Sequence, residues 1–329
     1  MTLNLDQPTA QSRSVRTSHA TNSLKFEPAT PLIGAEVTGL DLRESLSAET
    51  VATLRAKLLE HKVLIFRDQP ITEHEQVRFS RYFGPVTPAH PITNGLRELP
   101  ELKVNDLVES RREYASREVT VDDPLRPTRR SRTRAGWHID ITFVANPAAI
   151  SLLRGWEIPA FGGDTLFANL EALYEGLSPS LQKYLDSLQA IHVRNDPDPK
   201  PRYDGRPPGP FAALHPLVRV HPETGKKALF LSGFIQAIHG LRANESASLL
   251  DFLDEELSGR ADLQLRFRWT KDAIAVWDNR AVAHAGPVDG KFIQGNRVVH
   301  RTTIGGDLAT GPDGFVSRPL VGDLFNTIS

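Results

Sequence analysis

The chain has 329 residues, 40% of them hydrophobic, which is enough to bury a sizeable core and argues against a disordered chain. Lys and Arg number 39 against 40 Asp and Glu, so no global field draws the protein to nucleic acid or to an anionic membrane surface. Cysteine is absent, which excludes disulfides, Cys-ligated zinc, iron–sulfur clusters and thiol nucleophiles, and any metal must take histidine and carboxylate ligands.

Residues 1–24 are rich in Ser, Thr, Gln and Asn without hydrophobic period and read as a flexible tail. That stretch lacks the apolar centre of a signal peptide, and no run approaches the roughly 18 apolar residues of a membrane span, so the expectation is a cytoplasmic protein with no membrane partner. Ser47 is a candidate N-cap with Glu49 in the first turn, and Val51, Leu54, Leu58 and Leu59 follow at helical spacing, which predicts a helix over 48–61. The apolar run within Lys62–Arg67 suits a buried strand, and a second helix is expected over Glu73–Phe83.

Composition changes sharply over 106–135, where Glu109-Ser-Arg-Arg and Arg126-Pro-Thr-Arg-Arg-Ser-Arg-Thr-Arg134 stand among few apolar residues. No aromatic residues interleave with the basic run, which argues against nucleic acid, and its place just before a candidate ligand motif suggests a lid-like loop. Beyond 138 the chain alternates strand-like and turn-like pieces: Ala148–Leu153, Leu217–His221, Ala228–Leu231, Leu263–Trp269, Ala273–Trp277 and Val298–Ile304, with helices near 169–190 and 244–257. Pro222-Glu-Thr-Gly225 marks a hairpin between two of them. Many short strands and few helices predict a mainly β protein, a sandwich or jelly roll with helical insertions, in one domain over 25–329. There is no Gly-rich dinucleotide fingerprint and no triphosphate loop.

The chemistry centres on Gly136-Trp-His-Ile-Asp140, in which His138 and Asp140, two apart on a strand, share one face amid Trp137, Ile139, Ile141 and Phe143. His221-Pro-Glu223 repeats the spacing but lies in the hairpin turn, where the side chains have no reason to converge on a buried point. The strand Ala273-Ile-Ala-Val-Trp-Asp-Asn-Arg280 leads on to a further histidine, His284. Two histidines and one carboxylate are the set of a facial triad that leaves three iron positions open, and zinc is the competing metal. Arg297 and Arg301, four apart on a strand, point to one face and suggest two anionic groups bound in bidentate fashion, which a zinc hydrolase leaves unexplained. In Gly162-Gly-Asp-Thr165 the glycines permit close backbone approach and Thr165 offers a hydroxyl to a carboxylate.

Taken in order, these pieces resemble the taurine and 2,4-dichlorophenoxyacetate dioxygenase family, which includes alkylsulfatase dioxygenases. The resemblance runs from about 30 to 307 through Val63-Leu-Ile-Phe-Arg-Asp-Gln, Phe83-Gly-Pro-Val, Trp137-His-Ile-Asp-Ile-Thr-Phe, Gly162-Gly-Asp-Thr, His215-Pro-Leu-Val-Arg-Val-His-Pro-Glu-Thr-Gly-Lys, Trp277-Asp-Asn-Arg and His300-Arg-Thr-Thr-Ile-Gly-Gly-Asp. It implies a double-stranded β-helix, a cupin-like jelly-roll barrel. It also implies an enzyme that consumes 2-oxoglutarate and O2 with Fe(II) held by His138, Asp140 and His284, hydroxylates a small organic anion, and releases succinate and CO2. Arg297, helped by Thr165, is then expected to hold the distal carboxylate of 2-oxoglutarate, while Arg301, with His90 nearby, takes the anionic head of the substrate. An alkyl sulfate or sulfonate is the first expectation and an aryloxyalkanoate the alternative. A zinc hydrolase and a non-catalytic cupin-like binding protein stand further off. A homodimer or homotetramer stays open.

Overall fold

The computed structural model describes residues 23–108, 136–194, 209–286, 289 and 292–325. Most of the expected tail, residues 1–22, and most of the expected lid-like loop, residues 109–135, lie outside them. The described residues are mainly β. Their largest sheet has seven strands in the order β1 (Lys25–Pro28), β2 (Ala35–Thr38), β3 (Val63–Phe66), β13 (Ile274–Asp278), β5 (Ile150–Glu157), β15 (Val298–Ile304) and β4 (Lys103–Asp106). Neighbours run antiparallel except β2 and β3, which pair in parallel. A three-stranded sheet orders β12 (Gln264–Phe267), β6 (Thr165–Asn169) and β14 (Val282–Ala285). A four-stranded sheet orders β11 (Ile235–Ile238), β7 (Gln189–Arg194), β8 (Phe211–Pro216) and β16 (Arg318–Val321), and β9 (Val218–Val220) forms a hairpin with β10 (Lys227–Leu229).

Two helices cover one face of the large sheet. In α1 (Ala48–His61) the Ser47 side chain accepts from the Thr50 N–H, as its sequence signature predicts. The helix ends at Lys62, whose φ of 66° turns the chain directly into β3. In α2 (Glu73–Arg81) Thr72 and Glu75 form a reciprocal capping box. The helix stops two residues short of the expected Phe83.

Strand alternation then divides the side chains. Leu64, Phe66, Leu152, Ile274, Val276 and Ile304 pack with Leu54, Leu58 and Phe79 of the helices. Their neighbours Val63, Ile65, Leu153, Ala275, Trp277 and Val299 pack on the opposite face with Phe167 and Phe267. That second face also carries, by the same parity, Ser151, Asn279 and Arg301.

Between β6 and β7 the expected helix over 169–190 is two, α3 (Leu170–Glu175) and α4 (Pro179–Leu185). Gly176 caps the first and Pro179 opens the second, so the period is broken where the backbone cannot continue. The last helix, α5 (Ala243–Gly259), falls where expected. No helix of the described residues is long and apolar enough to cross a membrane.

His192 of β7 and His215 of β8 are fully buried, edge to face at 4.8 Å, with Phe230 beside both. Burial pushes the His215 imidazole down to about 4 and holds His192 well below its ordinary value, helped by the neighbouring His215. Both are therefore neutral in the native state and gain protons near 6.5 when the chain unfolds. The unfolded state binds more protons as pH falls through that window, so stability is full above about 6.5 and is lost toward 4. Urea unfolding of metal-free protein is expected to show stability declining from pH 7 to pH 5, by up to about 1.4 kcal/mol per pH unit per histidine. A flat profile over that interval contradicts neutral buried histidines.

Candidate metal centre

His138 enters the site by pairing with β14. Its N–H donates to the His284 carbonyl and its carbonyl accepts from the His284 N–H, both at 2.8 Å, which sets the two rings 4.2 Å apart. The pairing is a single bridge and not the strand expected through Asp140. The strand stops because Ile141 adopts a φ of 50°, a left-handed conformation that strains a β-branched residue, and the Val144 N–H closes a turn onto its carbonyl. Thr142 anchors that turn from behind: its hydroxyl meets His192 Nδ1 at 2.9 Å and its carbonyl accepts from His215 Nε2 at 2.7 Å.

Among the described residues, His138, Asp140 and His284 bring one ligand atom each to within 4.8 Å of one another. The donors suit a divalent metal. His138 Nδ1 is engaged by the Gly136 carbonyl at 3.0 Å, which orients the ring. Burial, reinforced by nearby His138, pushes His284 down to about 3, so it is neutral with a lone pair to give, and its buried Nδ1 has no hydrogen bond. Burial alone would raise the Asp140 carboxyl. The charge of Arg301 outweighs it, with help from the two histidines and the Ser151 hydroxyl, and holds Asp140 well below the usual carboxylate range. Its Oδ1 accepts from Arg301 Nη1 at 2.6 Å and its Oδ2 from Ser151 Oγ at 2.6 Å. Trp277 at 4.8 Å and Phe167 at 6.4 Å from the His284 ring, and Phe234 at 6.3 Å from His138, wall the site with aromatic rings.

Arg297 and Arg301 are both buried, but not as two positions of one regular strand: Arg297 precedes β15, with a register shift between Val298 and Val299, and the surroundings of the two differ. Arg297 is 6% exposed and, among the described residues, forms no ion pair. Its Nε donates to the Gly163 carbonyl at 2.7 Å, its Nη2 lies 3.4 Å from Thr165 Oγ1, and its guanidinium sits 5.7 Å from the Trp269 ring. Burial pushes it down to about 10, partly offset by Asp164 and Asp289. Gly163 has to be glycine: at φ 75° a Cβ would stand 2.8 Å from Arg297 Cδ. Arg301 is ion-paired to the candidate ligand Asp140, and its Nη2 makes only a long 3.5 Å contact with the Ala89 carbonyl. His90, next to Ala89, is buried 5.9 Å from Phe143, with its Nδ1 accepting from the N–H groups of Ile92 and Thr93.

His221-Pro-Glu223 sits in the hairpin turn as expected, yet His221 is buried, contrary to the expectation that nothing draws it inward. Its Nε2 meets Asp278 Oδ2 at 3.1 Å, while Glu223 pairs with Arg280 at 2.6 Å and with Arg55 at 2.5 Å. The turn is thus clasped to the end of β13 by charge, a role the spacing alone does not reveal.

The family model described as "Taurine catabolism dioxygenase TauD, TfdA family" matches residues 25–303. The chain belongs to this family. It is 34% identical over 309 residues to an alpha-ketoglutarate-dependent sulfate ester dioxygenase of Pseudomonas putida, across 90% of this chain and 94% of that protein. It is 32% identical over 315 residues to an alkylsulfatase of Acinetobacter baylyi, across 91% and 90%. A solved taurine dioxygenase from Burkholderia xenovorans superposes with a TM-score of 0.77 at 36% identity, covering 92% of this chain and 96% of that one.

Within this TauD/TfdA chain, sequence reasoning missed Ser151 and Asn279. Ser151 is the only polar residue in the run Ala148–Leu153, and a lone hydroxyl in a buried apolar strand is the signal that marks it. A metal held by the triad stabilises only the folded protein: Co(II) at 100 times its dissociation constant should add about 2.7 kcal/mol. The thermal midpoint is therefore expected to rise with Co(II) in the native protein and to stay put in His284→Ala. An equal rise in both places the ion elsewhere.

Proposed function

We propose that this chain is an Fe(II)- and 2-oxoglutarate-dependent dioxygenase that oxidises a small organic anion, an alkyl sulfate or sulfonate in the first instance. The observation that carries the reading is Arg297, a buried guanidinium that forms no ion pair among the described residues and is held against Gly163 and Thr165, while the His138–Asp140–His284 cluster gathers a metal-ligating set. A cation kept out of water needs an anion, and a dicarboxylate reaching from the metal supplies one. A zinc hydrolase gives Arg297 nothing to bind. Iron with 2-oxoglutarate and dioxygen supplies the oxidation of a C–H bond, the co-substrate leaving as succinate and CO2.

The protein's share is position and exclusion of water. His138, Asp140 and His284 would hold the metal with two imidazoles and one carboxylate, a ligand set that would leave positions for the co-substrate. Arg297, beside Thr165, fixes the distal carboxylate of 2-oxoglutarate. Arg301 spends one nitrogen on Asp140, and the weakly engaged edge of its guanidinium, near His90, is suited to the anionic head of the substrate, holding one carbon toward the metal. The aromatic wall keeps the centre dry. We further infer that the seven-stranded sheet and the smaller sheets form the two halves of a double-stranded β-helix, within one catalytic domain over 25–329. The relatives that act on sulfate esters support the sulfate or sulfonate preference.

Arg297→Ala is expected to weaken 2-oxoglutarate at least about 10-fold, since it removes charge-assisted hydrogen bonds in a buried site. Arg301→Ala should raise the substrate KM more than that of 2-oxoglutarate. The reverse pattern exchanges the two roles. Succinate release with medium-chain alkyl sulfates, taurine and phenoxyacetate is expected to rank the sulfur anions first, and a preference for phenoxyacetate assigns the aryloxyalkanoate alternative.

A further inference from the structure

Trp277-Asp-Asn-Arg280 stands out in the sequence, yet neither metal holding nor carboxylate binding uses it. Trp277 and Asn279 project to the same face as Ser151, which lies on the neighbouring strand β5, and all three are fully buried. The Trp277 indole N–H donates to Asn279 Oδ1 at 2.9 Å, Asn279 Nδ2 donates to Ser151 Oγ at 2.9 Å, and Ser151 Oγ donates to Asp140 Oδ2 at 2.6 Å.

The direction of that chain is fixed by its far end. An indole N–H can only donate, so the amide oxygen of Asn279 must face it and the amide nitrogen must face Ser151. Ser151 then receives a hydrogen at its oxygen and has one proton to give, and Asp140 Oδ2, 3.9 Å from His284 Nε2, is where that proton points. The Asp140 N–H, 3.5 Å from Asn279 Oδ1, faces the same oxygen and favours the same amide orientation.

We propose that Trp277, Asn279 and Ser151 are positioning residues that form a one-way hydrogen-bond chain, committing a proton to the metal-side oxygen of Asp140 and fixing the plane of that carboxylate. With Arg301 on Oδ1 and Ser151 on Oδ2, the ligand is pinned at both oxygens and keeps one orientation toward the histidines. The inference rests on the metal-centre reading, and its test separates the two.

The test is Co(II) binding, by visible absorbance and chelator competition, to the native protein and to Ser151→Ala, Trp277→Phe, Asn279→Asp and the double variant Ser151→Ala/Trp277→Phe. Loss of an outer partner of a ligand weakens metal binding about 10- to 100-fold, and Ser151→Ala is expected in that range with an altered ligand-field band. Trp277→Phe frees the Asn279 amide to turn and weakens binding in the same direction. Asn279→Asp gives Ser151 a rival carboxylate and should resemble Ser151→Ala. The double variant is expected to bind as Ser151→Ala alone does, because the indole acts only through the hydroxyl. A cavity left by the smaller ring would instead add its effect. Unchanged affinity and spectrum in Ser151→Ala, or full additivity in the double variant, overturns the chain. A native protein that takes up no Co(II) overturns the metal centre and the chain with it.

Discussion

A carboxylate taken out of water has to be compensated, and Asp140 is compensated from both sides. Arg301 meets one oxygen and Ser151 the other, while His138 and His284 stand close enough to share a cation with it. Each partner comes from a different part of the chain: Ser151 from β5, Arg301 from β15, His284 from β14, and His138 from a bridge onto that strand. The pairing of β5 with β15 sets Ser151 and Arg301 on adjacent strands, and the packing of the separate three-stranded sheet against the face they share brings His284 to them, so both are preconditions for the site. Removing Asp140 would leave Arg301 buried beside two histidines, and removing Arg301 would leave Asp140 with its burial uncompensated.

The same division of labour runs through the large sheet. One side of β3, β13, β5 and β15 is closed by α1 and α2 with aliphatic side chains and Phe66 and Phe79. The other side, by the pleat alone, carries Trp277 and the polar groups that serve the site. A one-residue slip in any of these strands would exchange the two sets, so packing of the helices fixes the register on which the chemistry depends. His192 and His215 extend this logic to the turn after Asp140, where they hold the Thr142 carbonyl and hydroxyl beside the strained Ile141.

Much of this was legible in the sequence because it rests on local pattern. The α1 cap at Ser47, the alternation through Leu263–Trp269 and the hairpin at Pro222–Gly225 follow from spacing and residue type, while the meeting of His284 with His138 and Asp140, which the spacing does not give, was expected from the family resemblance. What escaped depends on contacts between distant segments. His221 reads as a turn histidine until Asp278 is seen to receive it, 57 residues away. Ser151 reads as one more strand residue until Asp140 is placed against it. Helix breaking at Gly176 and Pro179 was visible in the residues, yet the apolar period across 169–190 masked it. The basic run within 106–135 falls almost wholly outside the described residues.

The central claim is that one site holds Fe(II) through His138, Asp140 and His284 and 2-oxoglutarate through the metal and Arg297. Anaerobic titration of the Fe(II) protein with 2-oxoglutarate reads both at once, through the weak visible charge-transfer band of the chelate. The band is expected in the native protein, absent from Asp140→Ala at any co-substrate concentration, and shifted to higher 2-oxoglutarate in Arg297→Ala. No band with iron fully loaded would contradict the account and turn attention to a zinc-dependent hydrolysis.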